Sequence, residues 1–152
     1  LYYLYVDVNG QGLKNDPKKA VQHFGGACEG GSMEICVVLG TFYENGFGVD
    51  KNMPKAIELY RRACEKGMPP GCMNLANTYR RGDFVAVDNS KAAELYADAC
   101  DGGEVQACTN LGHMIQNGET GLQTEQEKEA ALFKVIKKAC DIGQQEACDA
   151  LK

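Results

Sequence analysis

AIELYRRACEKGMPPGCMNLANTY, from Ala56 to Tyr79, decides the fold. Ala56, Ile57, Tyr60, Ala63 and Cys64 recur at i, i+1, i+4, i+7 and i+8, the period of a helix with one apolar face. Glu58, Arg61 and Arg62 stand between them. Gly67 interrupts the run, and Cys72, Leu75 and Tyr79 open a second one. The two cysteines are eight residues apart. Along one continuous helix that is about 12 Å, at 1.5 Å per residue. A disulfide needs Cα atoms within about 7 Å. If these cysteines pair, the chain must turn between them, and glycine stands where a helix would end. The stretch reads as helix A, turn, helix B.

The pattern occurs four times. Cys28/Cys36, Cys64/Cys72, Cys100/Cys108 and Cys140/Cys148 share the eight-residue spacing, and the steps between pairs are 36, 36 and 40 residues. Helix A recurs as Ala20, Val21, Phe24, Ala27 and Cys28, then as Ala92, Ala93, Tyr96, Ala99 and Cys100, then as Leu132, Phe133, Ile136, Ala139 and Cys140. Asp16 before Pro17 is a start signal, and Thr124 with Glu127 makes a capping box. Gly30-Gly31, Gly67, Gly102-Gly103 and Gly143 are the stop signals. Helix B keeps Cys36, Leu39 and Tyr43 in the first unit and Cys108, Leu111 and Ile115 in the third, and a cut-off copy carries Cys148 in the fourth. Gly40, Ala76 and Gly112 follow the leucine, which implies that a neighbouring helix passes close there, since glycine inside a helix costs about 1 kcal/mol. The four extra residues of the last step are assigned to the third inter-unit loop.

Helix pairs of this length in tandem predict an all-α fold, a right-handed α-solenoid of helix-turn-helix repeats. The expected organisation is one repeat domain over 1–152. It comprises the tail of a preceding repeat (1–15), repeat 1 (16–51), repeat 2 (52–87), repeat 3 (88–123) and a truncated repeat 4 (124–152). Gly10, Gly12 and Leu13 align with Gly46, Gly48 and Val49. Leu1 to Asp7 would then be a helix B without its partner. The expectation is a fragment of a longer array, or a chain that associates end to end. A chain that opens on Leu1 without a signal peptide is also expected to be processed or trimmed.

Bulk composition excludes several classes. The net charge is −5 with no basic block, which argues against nucleic acid and against an anionic membrane surface. No apolar run approaches the roughly 20 residues of a membrane span. Eight regularly placed cysteines fit disulfides in an oxidising compartment. Buried thiols are one alternative. Structural zinc is another, but its ligands usually stand two to four residues apart, a spacing absent here. Eight cysteines allow 105 connectivities. Spacing does not select one, and local pairing is the simplest because every unit then carries the same bridge.

The pattern A-x-x-x-Y-x-x-A-C, then glycine, then C-x-x-L-G-x-x-Y and G-x-G-V, resembles Sel1-like repeats, relatives of tetratricopeptide repeats. The cysteine at each helix junction is similar to the Helicobacter cysteine-rich protein family. Departures are Ala76 for glycine, Ile115 for tyrosine and the longer last step. The resemblance implies a secreted or periplasmic protein with one disulfide per repeat. It also implies an adaptor that uses a groove lined by its A helices, and, from some members, β-lactam binding or weak β-lactamase activity.

The residues supply little for such catalysis. A serine β-lactamase uses Ser-x-x-Lys, and neither Ser32 nor Ser90 has the lysine. Both stand at expected helix starts, where serine caps the backbone. His23 and His113 lie two units apart on different helix types, so no metal set is expected. No Cys–His nucleophile pair and no C-x-x-C redox motif occurs. Asn74 and Asn110 share one column of helix B. They could bind a peptide backbone or make a structural hydrogen bond between repeats. Leu59, Leu95 and Val135 share a column of helix A with His23, as groove stripe or as inter-repeat core. Glu94 and Asp98 are like charges at i,i+4, which mildly disfavours a helix, so they mark either a site for a basic partner or a solvated face. The reading is an exported scaffold that needs no cofactor or metal. It would bind a protein, a peptide or a cell-wall fragment through its concave helix-A face, with a β-lactam as the alternative ligand.

Overall fold

The computed structural model describes residues 16–151. The expected tail of an earlier repeat, with Leu1 to Asp7 as a helix B without its partner, lies outside the described residues. Eight α-helices and no strand occur among the described residues: α1 (Pro17–Glu29), α2 (Met33–Asn45), α3 (Met53–Glu65), α4 (Pro69–Arg81), α5 (Asn89–Asp101), α6 (Val105–Gln116), α7 (Glu125–Asp141) and α8 (Gln145–Asp149). Odd-numbered helices are the A helices and even-numbered ones the B helices. Each helix packs mainly on the one before and the one after it, the contact order of an α-solenoid.

One turn is used four times. Gly31, Gly67, Gly103 and Gly143 take φ of 102°, 79°, 97° and 96°. In each turn the glycine N–H donates to the carbonyl of the first cysteine, and the next N–H donates to the residue before that cysteine. Gly67 N to Cys64 O is 2.9 Å and Met68 N to Ala63 O is 3.0 Å. This pair satisfies carbonyls that the helix end leaves open and reverses the chain. All four disulfides are local. The Cα separations are 4.8 Å for Cys28–Cys36, 4.5 Å for Cys64–Cys72, 4.7 Å for Cys100–Cys108 and 4.6 Å for Cys140–Cys148. No cysteine is free.

The fourth bridge differs from the others in its surroundings. Cys36, Cys72 and Cys108 are buried in the core. The helix-B column places Cys148 with them, but Cys148 is only half-buried. The physical reason is the length of its helix. Helix α8 has five residues and buries none of them, and among the described residues no further A helix covers its outer side. Cys148 therefore keeps the bridge and loses the packing that its counterparts have.

Caps follow the sequence in part. Asp16 accepts from the N–H groups of Lys18 and Lys19. Thr124 and Glu127 form the capping box, and the N–H groups of Thr124 and Gln123 hold the Glu127 carboxylate below its ordinary pKa. Ser90, however, lies inside the first turn of α5, where Asp88 two residues earlier is the cap and accepts from Lys91 N at 2.9 Å. Ser32 occupies a cap position without bonding the backbone, because its hydroxyl turns to Glu34.

The four extra residues do not enlarge a loop. Helix α7 has 17 residues where α1, α3 and α5 have 13. The inter-unit loops, 46–52, 82–88 and 117–124, stay nearly constant in length. The insertion is one additional helical turn at the start of α7, stabilised by its capping box.

The core runs through the columns read from sequence. Ala56, Tyr60, Ala63, Ala92, Tyr96 and Ala99 are fully buried. Ala27 and Phe133 depart and are exposed. Both belong to the outermost described repeats, which have a neighbour on one side only among the described residues. Gly40 meets the expectation of a close helix approach, since an added Cβ would fall 2.5 Å from Tyr60 Cε1. Gly112 does not: its nearest neighbour would be Leu132 Cδ1 at 3.7 Å, because Ile136 stands where α3 and α5 carry Tyr60 and Tyr96.

Candidate interaction surface

The A helices present their polar side to solvent. Glu94 and Asp98 are exposed one turn apart on α5. In the same two columns α7 carries Lys134 and Lys138. The outward charge therefore changes sign between adjacent repeats while the backbone geometry repeats. Leu59 and Leu95 are buried, and Val135 is half-buried against the core, so this column is inter-repeat core. His23 and His113, on α1 and α6, are exposed. Among the described residues no group of three His, Cys, Asp or Glu side chains could hold a metal ion.

Asn74 and Asn110 are both half-buried. Asn110 Oδ1 accepts from Gln106 Nε2 within α6 at 3.3 Å. The asparagine that ties repeats together most directly is a different one: the Tyr96 hydroxyl of α5 donates to Asn77 Oδ1 of α4. Sequence reasoning passed over Asn77, although it stands one turn beyond Asn74 on the same helix.

A set of polar bridges crosses the repeat boundaries. Tyr60 of α3 donates to Glu44 Oε2 of α2 at 2.6 Å, and Arg81 of α4 donates to the other oxygen, Oε1, at 2.7 Å. Arg81 also pairs with Asp83 at 2.7 Å. Its neighbour Arg80 reaches forward to Glu119, 3.3 Å away in the loop after α6. Arg62 of α3 donates to the carbonyl of Cys28 at 3.2 Å, which ties α3 to the first disulfide turn. The two arginines that end α4 thus connect it to the repeats on both sides. Burial, and then the hydrogen bond to Glu44, push the Tyr60 hydroxyl well above the ordinary tyrosine pKa. Burial raises Tyr96 as well.

The inter-unit loops differ in one respect. Gly48 has φ of 67° and lies so close to α1 that a Cβ would overlap the Pro17 carbonyl. Phe84 occupies the aligned position after α4, keeps φ of 59°, and is 74% exposed.

One family model matches most of the chain that carries these features. The Sel1 repeat model matches residues 8–32, 36–68, 69–104 and 105–133. The chain belongs to the Sel1 repeat family. The last three matched units each run from a B helix to the next A helix, half a repeat out of phase with units counted from Asp16. The matched units stop short of the fourth bridge, Cys140–Cys148. Helicobacter pylori cysteine-rich protein B is similar at 30% identity, with 93% of this chain and 98% of that one covered and a TM-score of 0.64. A Sel1 repeat protein from Oxalobacter formigenes is similar at 26% identity, 91% and 55% coverage and a TM-score of 0.77. The protective antigen c5321 of uropathogenic Escherichia coli shares the fold at 20% identity, 91% and 29% coverage and a TM-score of 0.75. The chain spans about half of the Oxalobacter protein and under a third of the Escherichia one. No curated protein matches it. No described helix of this Sel1 repeat protein is long and apolar enough to cross a membrane.

Proposed function

We propose that the chain is an exported scaffold that binds proteins or peptides through the concave face of its A helices. The observation that carries the reading is the pairing of a repeated frame with a face that does not repeat. Four disulfides hold every helix pair at one geometry. On that frame Glu94 and Asp98 are followed one repeat later by Lys134 and Lys138. A rigid surface whose charge differs from one repeat to the next selects a partner by complementarity and rejects mismatched ones. Glu94 and Asp98 are the residues assigned to a basic segment of the partner. Asn74 and Asn110, on the adjoining B helices α4 and α6, are assigned to its backbone where it passes beyond the A-helix face. Export is supported by the complete pairing of the cysteines, which persists in oxidising compartments, and by the likeness to a cysteine-rich Helicobacter protein. No observation favours the β-lactam alternative.

The test uses peptides selected from a random displayed library against the oxidised protein. Their affinity is then measured by fluorescence anisotropy. Basic peptides are expected to lose binding to a Glu94→Lys/Asp98→Lys variant. Binding that ignores this variant and is lost in Glu34→Lys, on the exposed side of α2, would move the site off the A helices.

A further inference from the structure

Helices α5 and α7 part above α6 and leave a cleft of about 360 Å³. Leu111 and Ile115 of α6 form its floor, with Ala93 and Ala97 of α5 and Val135 of α7 as walls. The cleft has a sequence origin. Ala93 stands in the column that holds Val21, Ile57 and Phe133 in the other A helices. The small side chain leaves unfilled space between α5 and α7. The α5 wall runs from Ala93 to Cys100, about 10 Å at 1.5 Å per residue.

The two ends differ. Thr120 and Leu122, from the loop before α7, line the cleft near the start of that helix. The Thr120 hydroxyl is buried there and has no hydrogen-bond partner among the described residues. Lys134 and Lys138 line the cleft further along α7. Lys138 Nζ is 3.7 Å from Asp101 Oδ1, a loose pair, and Lys134 meets no carboxylate within ion-pair distance among the described residues.

We propose that this cleft is a binding site for a medium-chain alkyl carboxylate. The alkyl chain would lie along the apolar trough between α5 and α7, and the carboxylate would take Lys134 and compete with Asp101 for Lys138. The trough is short and confined to α5, α6, α7 and the loop before α7, which suits a single small ligand better than a polypeptide crossing several repeats. The site goes beyond the scaffold reading and stands or falls separately from it, because peptide selection can fail while the small ligand still binds.

Decanoate, kept below its micelle concentration, is the probe, titrated into the oxidised full chain by calorimetry. Saturable binding at one site is expected. Decanol, with the chain and no charge, and acetate, with the charge and no chain, should both bind at least about tenfold more weakly. Lys134→Ala/Lys138→Ala should weaken decanoate by about tenfold, the loss of two partly exposed ion contacts. Both lysines are at the surface, so this variant keeps the fold. Asp101→Asn removes the competing carboxylate and should tighten binding. Ala97→Leu, checked for an unchanged thermal transition, should fill the trough and abolish it. Absence of saturable binding overturns the site. So does binding that is indifferent to the lysine pair and to Ala97→Leu. An acidic peptide that displaces decanoate at lower concentration than decanoate itself binds would give the cleft to a polypeptide, and overturns the proposal equally.

Discussion

Gly40 of α2 lies against the ring of Tyr60 of α3, so that a Cβ on the glycine would stand 2.5 Å from Tyr60 Cε1. Tyr60 is fully buried and its hydroxyl is held by Glu44, so the ring has nowhere to move. Overpacking of this kind costs about 1–3 kcal/mol, against about 1 kcal/mol gained from helix propensity. Gly40→Ala is therefore expected to lower stability by up to about 2 kcal/mol. Gly112, in the same column, has ordinary van der Waals space. Gly112→Ala should raise stability by up to about 1 kcal/mol. Urea midpoints of the two variants give the comparison, and equal values would remove the packing account.

The disulfides should matter by position as well as by number. Each closes a short loop, and chain entropy suggests about 2–3 kcal/mol apiece. In a nearest-neighbour array, an inner repeat also supports the repeats on both sides. Cys64→Ala/Cys72→Ala should lower the main unfolding transition by that amount or more. Cys148 is half-buried, and helix α8 around it buries no residue. Cys140→Ala/Cys148→Ala should therefore fray α7 and α8 and leave the central transition nearly in place. Native-state hydrogen exchange separates the cases, and equal loss of protection at α4 in both variants would contradict the nearest-neighbour picture.

What could be read beforehand, and what could not, follows from the range of each interaction. The turn after each first cysteine is local: a helix period, a glycine and a cysteine eight residues on specify it, and the hydrogen bonds at Gly31, Gly67, Gly103 and Gly143 repeat it. The burial of Cys148 is not local. It depends on what packs over α8, so a column shared with Cys36, Cys72 and Cys108 does not carry it. The extra turn of α7 was also legible, since a capping box at Thr124 already starts that helix one turn early. Counting residues between cysteines gives the size of an insertion and not its place. Asp88 and Ser90 are both good caps, two residues apart, and local preference does not choose between them. The bridges Arg81 to Glu44 and Tyr96 to Asn77 join residues on different helices. They depend on how the repeats stack, which no local pattern encodes. For the same reason Glu94 and Asp98 were visible as a charge pair, whereas the cleft beside them emerges only when α5, α6 and α7 are placed together.

Alkaline pH should destabilise the stack through its buried tyrosines. Tyr60 and Tyr96 have hydroxyl pKa values raised in the folded protein, first by burial. In the unfolded chain tyrosine ionises near pH 10. Above that pH the unfolded state binds fewer protons than the folded one, so stability falls as pH rises. The contribution is whole below about pH 10 and is lost progressively above it. Tyr60→Phe removes the shifted group and should flatten the decline between about pH 10 and 11.5. It also costs about 1 kcal/mol at neutral pH for the lost bond to Glu44. Urea unfolding at a series of pH values measures both, and an unchanged slope in the variant would show that the alkaline loss arises elsewhere.

Phe84 adopts φ of 59° with its ring 74% exposed, at the position where the preceding loop has Gly48. The left-handed conformation costs an L-residue roughly 1–2 kcal/mol, and an exposed ring recovers little of that by burial. Glycine removes the strain, at about 0.5–1 kcal/mol of added freedom in the unfolded chain. Phe84→Gly should therefore raise stability by up to about 1 kcal/mol. Gly48→Ala should act in the opposite sense and more strongly, because it adds both the strain and an overlap with the Pro17 carbonyl. Thermal midpoints of the two variants decide the matter. A Phe84→Gly variant less stable than the parent would mean that the ring stabilises the folded chain by more than the strain costs. The exposed loop would then be structural, not merely tolerated.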